Sequence, residues 1–69
     1  MIGRLIWNHD GPDIAFDTDK LYGGPHCGDC FQCWADGQWL DVRLEYAYDW
    51  VLLHSSGSMP VCYGVLVQI

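Results

Sequence analysis

Sixty-nine residues with nine acidic and three basic side chains give a formal charge of −6. That charge repels phosphate backbones and anionic lipid surfaces, so neither nucleic acid nor a membrane is expected as a direct partner. No window reaches the roughly 18 apolar residues of a membrane helix, and the start, MIGRLIWNHD, lacks the apolar run and cleavage site of a secretory signal; the chain reads as cytoplasmic, with reduced cysteines.

The length allows one domain, residues 1–69, and a chain this short buries only about 60% of its unfolded surface. Four Trp, four Tyr and two Phe compensate, at roughly 150–250 Å² each. No segment sustains helical apolar spacing; turn residues interrupt short β-branched and aromatic runs instead, the pattern of a small all-β barrel of about five to six antiparallel strands. The first strand is expected near 3–8, followed by turn residues His9-Asp10-Gly11-Pro12 and a strand near 13–17. The segment Asp19 to Gly28, with Tyr22-Gly23-Gly24-Pro25, is the longest irregular loop.

Strands are next expected at 30–35 and 38–46, joined by Asp36-Gly37, a pair suited to a two-residue type I′ turn. That turn sets Trp34 opposite Trp39, Cys33 opposite Leu40, Gln32 opposite Asp41, Phe31 opposite Val42 and Cys30 opposite Arg43. Alternation then gathers Phe31, Cys33, Leu40, Val42 and Leu44 on an apolar face, leaving Gln32, Asp41, Arg43, Glu45 and the two tryptophans on the other. A turn over Tyr46-Ala47-Tyr48-Asp49 leads to a strand near 49–54, with Glu45 facing Trp50 and with Val51 and Leu53 joining the apolar face. After Ser55-Ser56-Gly57-Ser58, a last strand is expected near 62–68, closing over the core together with Leu5 and Ile6.

The stretch HCGDCFQCW, residues 26–34, holds three of the four cysteines. In the register above Cys33 points into the core and Cys30 away from it, and two ligands on opposite faces of one strand cannot grip one tetrahedral ion. A second Cys-x2-Cys pair is also missing. The expectation is no metal and no cofactor; a zinc knuckle would instead recruit Cys27, Cys30, Cys33 and His26. The Cys27–Cys30 spacing is that of a thiol oxidoreductase too, but that chemistry sits at a helix N-terminus, and here a strand follows. No enzymatic activity is expected.

The run GDCFQCWADGQWLDVRLEYAYDWVLL, followed by YGVLVQI, resembles the cadence of an SH3-like barrel. GRLIWN, HCGDC, GQWLDVRLE, DWVLL and a final GVLVQI together resemble a family of small proteins without assigned function, found in Gram-positive bacteria and often carried on conjugative elements. The chain departs from that family after DWVLL, where it has the longer HSSGSMPVCY. The resemblance implies no catalytic residues.

Three functions follow as expectations. The first is a non-enzymatic protein-interaction module, accessory to a mobile genetic element, binding an unidentified protein partner through Tyr22, Trp34, Trp39, Trp50, Pro60 and Tyr63; the aromatic pair across two strands equally serves as a structural clamp. The second is an acidic inhibitor, a DNA-mimic decoy that occupies a DNA-binding protein of the host or of a competitor. The third is a small structural-metal or redox-sensing domain, resting on the cysteines.

Overall fold

A computed structural model describes residues 1–17, 20–24 and 27–69. Among these, the chain forms eight strands and no helix: β1 (Ile2–Asn8), β2 (Gly11–Asp17), β3 (Lys20–Leu21), β4 (Cys30–Ala35), β5 (Gln38–Tyr46), β6 (Trp50–His54), β7 (Gly57–Pro60) and β8 (Leu66–Gln68). They make one antiparallel sheet in the order β3-β2-β1-β8-β4-β5-β6-β7. Two meanders, β1 to β3 and β4 to β7, are thus welded by the C-terminal strand, which inserts between β1 and β4.

The all-β expectation holds, with two corrections. There are eight described strands rather than five or six, and the sheet is open rather than a closed SH3-like barrel. Closure would require β3 to pair with β7, but β3 is two residues long and β7 ends at Pro60, which has no N–H to donate. Short edges capped by a proline also discourage strand addition by other chains.

The Asp36-Gly37 turn has the left-handed backbone that type I′ demands, with φ of 51° and 76°. Its consequence is the full predicted register from Cys30↔Arg43 to Ala35↔Gln38. The next turn differs. Tyr46 pairs with Trp50, Glu45 with Val51 and Leu44 with Leu52, so the loop is Ala47-Tyr48-Asp49 and not four residues. Tyr48 takes a positive φ of 65°, and the Asp49 carboxylate accepts the Trp50 N–H at 2.8 Å. The one-residue difference exchanges the faces of β6. Leu52 (0% exposed) enters the core in place of Val51 and Leu53, and Trp50 turns to the core side.

The core comprises Leu5, Ile14, Phe31, Cys33, Val42, Leu44, Leu52 and Val67, with Leu40, Trp50, Phe16, Met59, Val61 and Val65 packed around it. The sheet curls far enough for the Trp50 ring to lie 3.7 Å from where a Cβ on Gly11 would stand. Gly3 is required by crowding: a Cβ there would meet the Ala15 carbonyl oxygen at 2.6 Å and the Ile14 and Phe16 side chains at 2.9 Å. The expected strand at 62–68 shrinks to Leu66–Gln68, because Cys62–Val65 turns, with Gly64 at a φ of 97°.

Candidate functional site

The cysteine segment lies flat along β5. The Gly28 N–H donates to the Leu44 carbonyl at 2.7 Å, and the Leu44 N–H donates to the Asp29 carbonyl at 2.9 Å, which extends the β4–β5 ladder backwards past Cys30. Cys33 is buried while Cys27, Cys30 and Cys62 are exposed free thiols. Burial, and then the negative charge a Cys62 thiolate would add, push the Cys33 thiol above its ordinary pKa. Among the described residues no three His, Cys, Asp or Glu side chains come together in a way that could hold a metal ion. His26 lies outside the described residues.

The face of the sheet opposite the core is ordered in rows that the registers specify. One row runs from Trp39 to Trp34 on β5 and β4. Continuing the β4–β8 register by one residue sets Trp34 beside Leu66, and Leu66 pairs with Arg4 on β1. The Trp34 and Trp39 rings meet edge to face, centroids 5.2 Å apart at 74°, and Trp34 stays 42% exposed. The adjoining row is a chain of polar side chains: the Gln68 amide donates to Gln32 Oε1 at 2.6 Å, and the Gln32 amide donates to Asp41 Oδ1 at 2.9 Å. Beyond it, Arg43 pairs with Glu45 at 2.9 Å. This amide ladder is the floor of an open groove of about 730 Å³, bordered by Cys30, Arg43, Leu53, His54 and Ile69.

The six residues expected to form one binding surface do not share one. Trp34 and Trp39 sit together on the outer face. Trp50 faces the core side, edge to face with Tyr46 at 5.0 Å. Tyr22 tilts against Phe16, with ring centroids 6.4 Å apart, and its N–H donates to the Ile14 carbonyl beside β2, apart from the tryptophan pair on β4 and β5. Asp19 and Pro25 of that loop lie outside the described residues. Pro60 pairs with Val51 on the edge strand, and Tyr63 stands edge to face with Trp7 at 5.9 Å. Burial, then the nearby charge of Asp49, raises the Tyr63 phenol pKa. Gln68 escaped the sequence reading, because only the insertion of β8 beside β4 brings it to Gln32.

A second polar cluster is structural. Asp13 is 3% exposed, and its Oδ1 accepts the N–H groups of Ile14 (2.7 Å), Gly24 (3.1 Å) and Gly23 (3.2 Å), while Oδ2 accepts the Asn8 amide at 3.2 Å. Burial alone would raise the pKa of this carboxyl; the four donors outweigh it and hold the value below the ordinary aspartate range. The carboxylate ties the Gly23-Gly24 segment across β2. Among the described residues its hydrogen-bond partners are three backbone N–H groups and the Asn8 amide, and it acts as a clasp.

A model of a domain of unknown function, DUF5348, matches residues 3–69. A crystal structure of a protein from Ruminococcus gnavus superimposes with a TM-score of 0.85 at 34% sequence identity, covering 100% of both chains. No curated protein matches.

Proposed function

The chain belongs to the DUF5348 family, and from the geometry above we propose that it is a non-enzymatic protein-interaction module whose contact surface is the outer sheet face around Trp34 and Trp39. The observation that carries this reading is the exposure of Trp34, at 42%, on the outer sheet face where it is paired with Trp39 and adjoins the row of Gln68, Gln32 and Asp41. A ring that served only as a clamp would gain by being covered, and large exposed aromatics mark recognition surfaces. The neighbouring amide ladder supplies donors and acceptors at fixed positions, which a partner's backbone or side chains can meet without reordering them.

The surroundings of this reading are a cytoplasmic location, an accessory role on a mobile genetic element of a Gram-positive host, and no direct contact with nucleic acid or membrane. The sequence resemblance and the −6 charge support them. No described helix is long and apolar enough to cross a membrane. The placement of several carboxylates weighs against the decoy alternative: among the described residues Asp10, Asp36 and Asp49 occupy three separate turns and Asp13 is buried, so these four do not line up as a row.

The test is site-specific photo-crosslinking in the native host, with the reactive group placed at position 34 and, as a control, at the exposed turn residue Ser56. A discrete protein adduct from position 34 and none from position 56 is expected. Equal labelling from both positions, or none from position 34, would end the reading.

A further inference from the structure

The charges around the tryptophan pair specify the chemistry of its partner. Asp41 follows Trp39 by two residues on the same face of β5, about 7 Å along the strand. Its Oδ1 is used by Gln32, and Oδ2 has no partner among the described residues. Asp36 is exposed at the adjoining turn, with no hydrogen bond to its carboxylate among the described residues. Of the three cations of the chain, Lys20 lies five strands from β5 on β3. Arg43 stands two residues beyond Asp41 on the same face, but it is shared with Glu45 at 2.9 Å, so Asp36, Asp41, Arg43 and Glu45 together remain net negative. Arg4 donates to the Gly64 carbonyl at 2.7 Å and lies three strands from Trp39, about 14 Å at the usual inter-strand spacing, beyond the ~8 Å screening length of physiological salt.

An exposed indole beside a net negative group of side chains suits one kind of side chain. A guanidinium or ammonium lies over the indole within about 6 Å of its centroid and reaches a carboxylate with its remaining donors. Arginine suits it better than lysine, since its planar group stacks on the ring and offers a fork to Asp41 Oδ2. The −6 charge of the chain acts in the same sense at long range, speeding the approach of a cationic surface and slowing that of an anionic one. We infer that the Trp34–Trp39 face receives a basic segment of a partner protein, with an arginine or lysine side chain laid on Trp34 and its charged end at Asp41. This rests on the interaction reading above and adds the charge of the partner to it.

The experiment selects phage-displayed random dodecapeptides on the intact chain, then measures the Kd of the selected peptides for the wild type, Trp34→Ala and Asp41→Asn at low and high salt. Both side chains are exposed, and thermal unfolding of each variant confirms that it remains folded. The expected peptides are enriched in arginine or lysine. They weaken by about tenfold on Trp34→Ala and by about threefold or more on Asp41→Asn, with less salt dependence in the latter. Peptides that depend on Trp34 but lack basic residues, or that ignore Asp41→Asn, would overturn the basic partner and leave the interaction reading standing. Selection yielding no peptide that depends on Trp34 would overturn both.

Discussion

Replacing Asp13 separates a structural clasp from a spectator carboxylate. In Asp13→Ala, four donors lose their acceptor. The Ile14 N–H is buried and pays the full cost of an unmet donor, about 1–3 kcal/mol, whereas Gly23, Gly24 and the Asn8 amide are only partly buried and recover some hydration. The sum is about 3–4 kcal/mol, against a total of about 4–10 kcal/mol for a domain of this length. Asp13→Asn should be far milder: its carbonyl oxygen still accepts the three backbone N–H groups, and Asn8 can rotate its amide to accept from the new NH₂. Only the charge assistance is lost, about 1 kcal/mol. Urea unfolding of the three proteins at neutral pH should therefore order them wild type, Asn, Ala, with a gap of about 2 kcal/mol between the variants. Because the folded-state pKa of Asp13 is depressed, its contribution is complete above the unfolded value near 3.9 and disappears as pH falls through the folded value. The stability difference between wild type and Asp13→Asn should accordingly shrink below about pH 4, a comparison that cancels the other carboxylates. Equal losses for the two variants, or a loss under about 1 kcal/mol for alanine, would refute the clasp.

Leu52→Ala should cost about 2–5 kcal/mol in chemical denaturation while Leu53→Ala costs distinctly less, since only Leu52 is fully buried; the reverse order would mean that β6 is out of register. Gly3→Ala should lower stability by about 1–3 kcal/mol, because its Cβ must displace the Ala15 carbonyl; an unchanged thermal midpoint would show that β1 and β2 approach less closely. In the native protein iodoacetamide should modify Cys27, Cys30 and Cys62 readily and Cys33 only on unfolding; mass spectrometry showing Cys33 modified as fast as the others would contradict its burial and raised pKa.

The legible part of the fold was local. Asp36-Gly37 needs two consecutive left-handed residues, a requirement that the dipeptide meets and few others do, so the turn and with it the pairing of ten side chains followed from sequence. The divergence of Cys30 and Cys33, and the membership of Phe31, Cys33, Val42 and Leu44 in the core, came with that one turn. Where the left-handed residue is Tyr48, nothing in its chemistry announces the conformation, and the sequence pattern implies a loop one residue longer than Ala47-Tyr48-Asp49. That one residue moves Trp50 to the other face, and with it a third of the tryptophans expected at the binding surface.

Tertiary pairing decided the rest. Val67 meets Gly3 on one side and Cys33 on the other, each more than thirty positions earlier in the chain. An alternating apolar stretch can make such a strand, but its own residues do not say which neighbours it will have. Those are selected by burial of Leu5, Ile14 and Val67 under one continuous core, which exists only once both meanders are formed. The same insertion of β8 builds the outer face, setting Gln68 against Gln32 and Leu66 between Trp34 and Arg4. Turn chemistry acts over neighbouring residues and is written in the sequence, while the choice of distant strand partners is a property of the whole buried surface.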